Sequence, residues 1–453
     1  MTDIKFSNLL EFAPEKTEHE MIKMKGFIII INHRPGAQTV LVESYINHGM
    51  VDEELSNMGI SHLLEHICTD GWKKCKKNCS TYWKKRGAVM NASTGQTYVN
   101  YYIHGLNQYL YELMDYIITI SINPNISKGR NEKEKTAVKN ELLIHGQNPQ
   151  LDAYNKLNSL LFSVEGLQLQ DDIEIQIKNL NGIDTTLLNK WVSKYYGSGN
   201  TLFSITGDFS NKGNPNSKKK ILKYFEKKLR SVKKTKIRPY FQNVFQTGIS
   251  VEYVENPKIN NTTIYFSFHS PLFYKDFEVH YISFFKLFVN SSVTSLLMYE
   301  LREKNELIYN THMDYYTTPY GTYFTIDIAT ENSNISEVVE RTLKILKIIA
   351  NGEFPREHLN YVKKAYLVKA ENANKNNAWL SNWYSEQYIN QFNDITNPTI
   401  ISHRKLLKKI EKLSKSEFVS FTRKLIIFSN LKIVYNGKKS VSGLHKKVLD
   451  WLD

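Results

Sequence analysis

One order of elements runs twice along this chain, and that repetition constrains the fold more than any single segment. In the first half, residues 26–32 (GFIIIIN) and 39–47 (TVLVESYIN) are dense in β-branched and aromatic residues and flank a Pro35-Gly36 turn. This predicts two strands. Helices are expected over 57–68, 107–121, 131–145, about 150–163 and 184–195, with strands over 97–104 (TYVNYYIH) and 200–206 (NTLFSIT) and a Lys-rich helix at 217–229. The second half repeats the order: strands at 248–255 and 262–269, helix at 278–303, strands at 309–316 and 321–329, helices at 333–351 and 355–372, helix at 413–424 and strand at 431–435 (LKIVY). A repeated order points to internal duplication, and 453 residues exceed the roughly 250–300 that one core supports. The expected fold is α+β, with two homologous domains, each a mainly antiparallel sheet covered by helices. Residues 230–245 carry charge and a proline without helical period. They are expected to link a first domain, 1–229, to a second, 246–453.

Composition excludes several function classes. Hydrophobic residues make up 41% and charged residues 23%, so the chain can build cores and is not a disordered polyelectrolyte. The longest apolar run, Phe27 to Ile31, is far short of the roughly 20 residues of a membrane span. The first thirty residues lack both the apolar centre of a secretory signal and the Arg-rich, acid-poor character of a transit peptide. An intracellular, cytoplasmic location is therefore expected. Three cysteines, Cys68, Cys75 and Cys79, make no disulfide framework and no Cys-type zinc site; plain thiols in a reducing compartment are expected. Net charge is +14, which would suit an anionic partner. The lysines are scattered, however, and no P-loop, zinc finger or RNA-binding signature accompanies them, which argues against nucleic acid.

Chemistry concentrates on the helix expected at 57–68. Advancing ~100° per residue from Ile60, residues Leu63, Leu64 and Ile67 fall within about 60° of it. His62, Glu65 and His66 fall on the opposite arc, at about 200°, 140° and 240°. One face docks the helix and the other presents two imidazoles and a carboxylate. His62 and His66, four apart, can reach one ion, and Glu65 beside them can take a proton from an attacking water. With 13 histidines in the chain, fewer than about 0.04 chance matches to His-x-x-Glu-His are expected, so the arrangement reads as the inverted zincin motif.

A third metal ligand is needed. Within 131–145, Glu134, Ala137, Val138 and Glu141 share one helical face. Two carboxylates on a small apolar stripe are costly unless compensated. Glu141 can complete the ligand set and Glu134 can orient it; alternatively they are ordinary surface acids.

These residues bring the chain to a known family. It resembles the pitrilysin/insulinase/mitochondrial processing peptidase family of zinc metallopeptidases, whose signature is His-x-x-Glu-His followed some seventy residues later by a Glu with another Glu seven positions upstream. Here 74 residues separate His66 from Glu141, and Glu134 lies seven before it. Asn47-His48-Gly49, Asp52-Glu53 and Gly59 resemble the flank before the motif. Gly87 through Asn91-Ala92-Ser93-Thr94 resembles the strand that lines the active site in relatives, and Tyr196 through Gly207-Asp208 resembles the strand closing their first domain. Ser295 through Arg302-Glu303 and Leu307-Ile308-Tyr309 resembles the element whose Arg and Tyr contact substrate. Cys68 to Arg86 departs from the family, being rich in Lys and Cys.

The resemblance implies a zinc metalloendopeptidase. Zn2+ would be held by His62, His66 and Glu141 in the first domain, with Glu134 supporting them and Glu65 as general base. Asn91 and Ala92 would receive the peptide backbone of an unstructured peptide or a precursor protein. Arg302 and Tyr309, in the peptidase-like second domain, would stabilise the oxyanion. Active relatives enclose substrate between two such halves, so the chain is expected to be half of a clamshell. The expected assembly is a homodimer in which Arg302 and Tyr309 act in trans. The alternative is a non-catalytic member serving as a chaperone or docking subunit.

Overall fold

An unbroken apolar run such as Phe27 to Ile31 needs cover on both faces of its strand. The computed structural model describes residues 18–75, 78–210, 216–290, 295–373, 376–394 and 396–453, and in it this run lies in β2 (Phe27–His33), buried from Phe27 to Asn32. Strand β1 (Glu18–Met24) precedes it; β3 (Thr39–Ile46), β4 (Val89–Thr94), β5 (Val99–Leu106) and β6 (Thr201–Gly207) follow. They form one sheet in the order β1-β2-β6-β3-β5-β4, in which only β2 and β6 run parallel. A second sheet, made of β7 (Ser250–Glu255), β8 (Thr262–Ser270), β9 (Ile308–Thr318), β10 (Gly321–Thr330) and β11 (Lys432–Gly437), has the order β7-β11-β8-β10-β9, with β7 and β11 parallel. Strands β2 to β6 and β7 to β11 follow one topology, with β1 added at an edge. The fold is two homologous α+β domains, as the repeated element order requires.

The helices include α1 (Ile60–Thr69), α2 (Leu110–Ile122), α3 (Lys128–His145), α4 (Leu151–Leu161), α5 (Thr185–Tyr195) and α6 (Asn377–Ile389). The expected helix over 278–303 is broken: a 3-10 turn at Phe277–Tyr281, a helix at Ile282–Asn290, then Leu296–Met298 and a π-helical turn at Tyr299–Glu303. Residues 291–294 of that span lie outside the described residues.

The two compact units are not the contiguous stretches 1–229 and 246–453. Among the described residues the first takes those up to Leu143, Ile173–Pro239 and Glu371–Ile400; the second takes Ile144–Asp172, Tyr240–Ala370 and Ile401–Asp453. Helix α6, late in the chain, packs on β2, β3 and β6 of the first unit, with Tyr388 and Ile389 against Ile28, Ile30 and Tyr45. Ser381 of α6 donates to the buried Glu43 carboxylate of β3 and pairs with Ser204 of β6 at 2.8 Å. Helix α4 packs instead on the second sheet, with Ala153 and Leu157 against Tyr265 and Val434. Each helix goes to the sheet whose bare apolar face it covers, which linear order does not reveal. The expected linker is also bound: Lys234 bridges Ser198, and the backbone N–H of Arg238 donates to Asn200.

Arg238 and Asp52 form a fully buried ion pair at 2.9 Å, and Arg238 also donates to Asn47. Beside them His48 is wholly buried, its ring stacked on Tyr195 at 5.0 Å between centroids, and neither ring nitrogen has a hydrogen-bond partner. Burial, with the charges of Arg238 and Lys194, pushes its pKa from 6.5 down to about 3. Between these two values the unfolded chain binds a proton that the folded chain does not, so His48 makes stability fall as pH falls through that window. The loss reaches about 3 kcal/mol by pH 4, and none is present at pH 7. His48→Phe, which keeps the stack without the nitrogens, is expected to flatten the pH dependence of urea unfolding between pH 6.5 and 4. A slope equal to that of the wild type would rule out this role for His48.

Candidate metal centre

Helix α1 begins where the backbone leaves ordinary geometry. Gly59 has φ near +90°, a conformation that residues with a Cβ rarely adopt. The buried Glu53 carboxylate accepts from the backbone N–H groups of Gly59 and Ser61, both at 2.8 Å, satisfying donors that a helix start leaves open. Burial pushes Glu53 up to about 7, opposed by those bonds. Ile60, Leu63, Leu64 and Ile67 are buried and seat α1 against β4, β5 and α2, while His62, Glu65 and His66 lie half-buried on the other side, as the wheel predicts.

Helix α3 supplies the carboxylates. Glu141 Oε2 lies 3.5 Å from His62 Nε2 and 3.3 Å from His66 Nε2. Glu134 Oε2 lies 3.6 Å from the other nitrogen of His66, Nδ1. His66 is thus held between two carboxylates of one helix face. One donor atom each from His62, His66 and Glu141 falls within 4.8 Å of the others, and among the described residues no other His, Cys, Asp or Glu group meets that criterion. Two imidazoles and one carboxylate are the donor set of a catalytic zinc site that keeps a fourth position open, so these residues fit that ion.

The electrostatics favour a cation. Burial, then the neighbouring His66, pushes His62 down to about 4, against the pull of Glu141, which leaves a neutral ring with a free lone pair. Burial also pulls His66 down, but the bond to Glu134 and the charges of Glu141 and Glu65 outweigh it and raise its pKa. Glu134 is lowered, first by His66 and then by Lys133, against burial. Burial raises Glu65, and Thr94 opposes the rise.

Two residues with no role assigned from the sequence belong to the site. Thr94 Oγ1, at the end of β4, donates to Glu65 Oε2 at 2.9 Å. Lys133 Nζ lies 2.8 Å from Glu134 Oε1 and 3.3 Å from Asp70 Oδ2, tying α3 to the end of α1. A threonine within a strand motif and a lysine beside a glutamate carry no signal of such partners in one dimension.

The cysteines depart from expectation. Cys75 and Cys79 are joined by a disulfide, not held as plain thiols, with their Cα atoms 4.9 Å apart. This pairing removes the ground for expecting a reducing compartment, since disulfides persist chiefly where conditions oxidise. Cys68 is buried, its thiol pushed up to about 12 by burial, and it is not part of the ligand set.

Asn91 and Ala92 lie in β4, an edge strand of the first sheet, with Asn91 exposed. In the second unit, Tyr309 projects from the edge strand β9 with 80% of its surface exposed, and the Arg302 guanidinium lies 5.4 Å from its ring centroid.

Comparison with known proteins gives concordant matches. A family model described as Insulinase (Peptidase family M16) matches residues 28–170, and one described as Peptidase M16 inactive domain matches residues 183–366. The chain is 22% identical to the uncharacterized zinc protease YmxG of Bacillus subtilis over 71% of its own length and 76% of that protein. A protease from Helicobacter pylori superposes with a TM-score of 0.79 at 17% identity, over 93% of this chain and all of that one. The periplasmic protease PqqL of Escherichia coli superposes with a TM-score of 0.74 at 15% identity, over 97% of this chain but 50% of that one.

The ligand assignment has a direct check. Wild-type protein exposed to zinc and desalted is expected to retain about one ion per chain by elemental analysis. His62→Ala and Glu141→Gln are expected to lose it, and Glu134→Gln to weaken binding roughly 10- to 100-fold in a chelator competition. Full retention by Glu141→Gln would remove that residue from the ligand set.

Proposed function

Because the chain belongs to the insulinase family of peptidases, family M16, we propose that it is a zinc-dependent metalloendopeptidase that hydrolyses unstructured peptides or a precursor protein. The observation that carries this reading is the convergence of His62, His66 and Glu141, with Glu65 beside them on α1. When bound, zinc supplies a Lewis acid that acidifies the attacking water and polarises the scissile carbonyl. Glu65 then takes the proton from that water as it attacks and passes it to the leaving amide nitrogen. Glu134 holds Nδ1 of His66, which leaves Nε2 facing Glu141.

The substrate is proposed to bind as an added strand along β4, at Asn91 and Ala92. An outermost strand offers unpaired backbone groups, and pairing with them favours extended peptides over particular sequences. Arg302 and Tyr309 are proposed to donate to the developing oxyanion from a second copy of the chain, within a homodimer. Their exposure and mutual contact support a role outside the core of their own unit.

Glu65→Gln is expected to keep zinc and lose roughly 10²- to 10⁴-fold in peptide cleavage. Zinc retained without cleavage by the wild type would instead favour a docking or chaperone subunit. The trans arrangement is tested by mixing inactive variants. Glu65→Gln and Tyr309→Phe, combined under subunit exchange, are expected to regain activity, since one site of the mixed dimer is intact. No recovery in a verified heterodimer would place Tyr309 in cis or outside catalysis.

A further inference from the structure

We infer that Thr94 is a positioning residue for the general base, so that the strand proposed to receive the substrate also sets the carboxylate that activates the water. The inference rests on the reading of Glu65 as that base.

Thr94 Oγ1 donates to Oε2 of Glu65 at 2.9 Å. A carboxylate held at one oxygen keeps the other available to accept a proton, and rotation about its terminal torsion, which is otherwise broad, is restrained. Proton bookkeeping is unaffected by Thr94: the hydroxyl donates to Oε2 before and after Glu65 takes the water's proton, and that proton leaves on the amine. Along β4, Met90, Ala92 and Thr94 alternate with the more exposed Val89, Asn91 and Ser93. Thr94 therefore shares its face with Ala92, two residues along.

Both ends of the contact are anchored. On one side, Glu53 caps the start of α1 and four apolar residues bury its opposite face. On the other, the residues after Thr94 are clamped to the chain before α1. Met50 N–H donates to Gly95 at 3.1 Å and Val51 N–H to Gln96 at 3.0 Å. The clamp depends on Gly49, where a Cβ would meet the Gly95 carbonyl oxygen at 2.4 Å. Thr94 itself pairs with Val99 of β5 at the end of the strand. A substrate strand laid against β4 would thus add its hydrogen bonds to the backbone that carries the Thr94 hydroxyl, coupling substrate seating to base orientation.

The test uses full-length Thr94→Val, which keeps a β-branched side chain of the same shape without the donor, and Thr94→Ser, which keeps the donor. Zinc content and thermal midpoint are measured for each. Thr94→Val is expected to lower kcat by about 10- to 100-fold with KM within about twofold, and Thr94→Ser to restore most of kcat. Thr94→Ala serves if the valine variant does not fold. Crystal structures of the metal-free wild type and variant supply a readout independent of turnover. The Glu65 carboxylate is expected at the Thr94 hydroxyl in the wild type and displaced or in several orientations in Thr94→Val. An unmoved carboxylate, or a kcat unchanged in Thr94→Val, overturns the inference. Zinc-loaded wild type that cleaves nothing would count against the proposed function, and the Glu65 orientation would still decide the role of Thr94.

Discussion

His66 lies between two carboxylates of one helix, a placement that constrains how α1 and α3 meet. Glu134 and Glu141 are seven residues apart, close to two helical turns or roughly 10 Å along α3. One can hold Nδ1 while the other faces Nε2 only if α3 runs alongside α1 in a single register. The three carboxylates of Glu65, Glu134 and Glu141, gathered around two imidazoles, would repel one another without a cation or a proton. The opposed shifts of His62 and His66 express that competition. Around this cluster the fold supplies anchors: the Glu53 cap, the glycine-dependent approach of residues 49–51 to 95–96, and the tie from Lys133 to Asp70.

The second sheet repeats the topology of the first but carries different chemistry at its outer edge. In the first unit the edge strand β4 brings a threonine to the Glu65 carboxylate; in the second, the corresponding strand exposes a tyrosine beside an arginine. Duplication thus preserved the strand order and left the edges free to diverge. Edge strands suit this, because their backbone groups are unpaired and their side chains are not locked between two neighbours.

Polar burial marks where the first unit is most specific. The Arg238–Asp52 pair, Glu43 beneath α6 and His48 beside Tyr195 are all costly unless their surroundings are complete. The first two bring distant stretches of chain to one sheet: residues 238 and 52, and residues 381 and 43. Removing one partner of such a contact leaves the other stranded, which favours this arrangement over near alternatives.

Several features were legible in the sequence because they obey short-range periodicity. The two faces of α1, the spacing of Glu134 and Glu141, and the duplicated order of strands follow from 3.6-residue and two-residue repeats. Resemblance added Asn91 and Ala92, which lie in β4, Tyr309, which lies in β9, and Arg302, which lies in the π-helical turn before β9. Helix α6 was missed, since Asn, Ser, Trp and Tyr surround it and no apolar stripe sets its period; its place comes from the bare face of β2 that it covers. The boundaries near 229 and 246 failed for the same reason: a helix joins the sheet that needs covering, wherever that sheet lies in the chain. The contact of Thr94 with Glu65 was decided only by tertiary structure. It depends on a strand end brought within a few ångströms of a helix by packing, and no one-dimensional pattern encodes that distance.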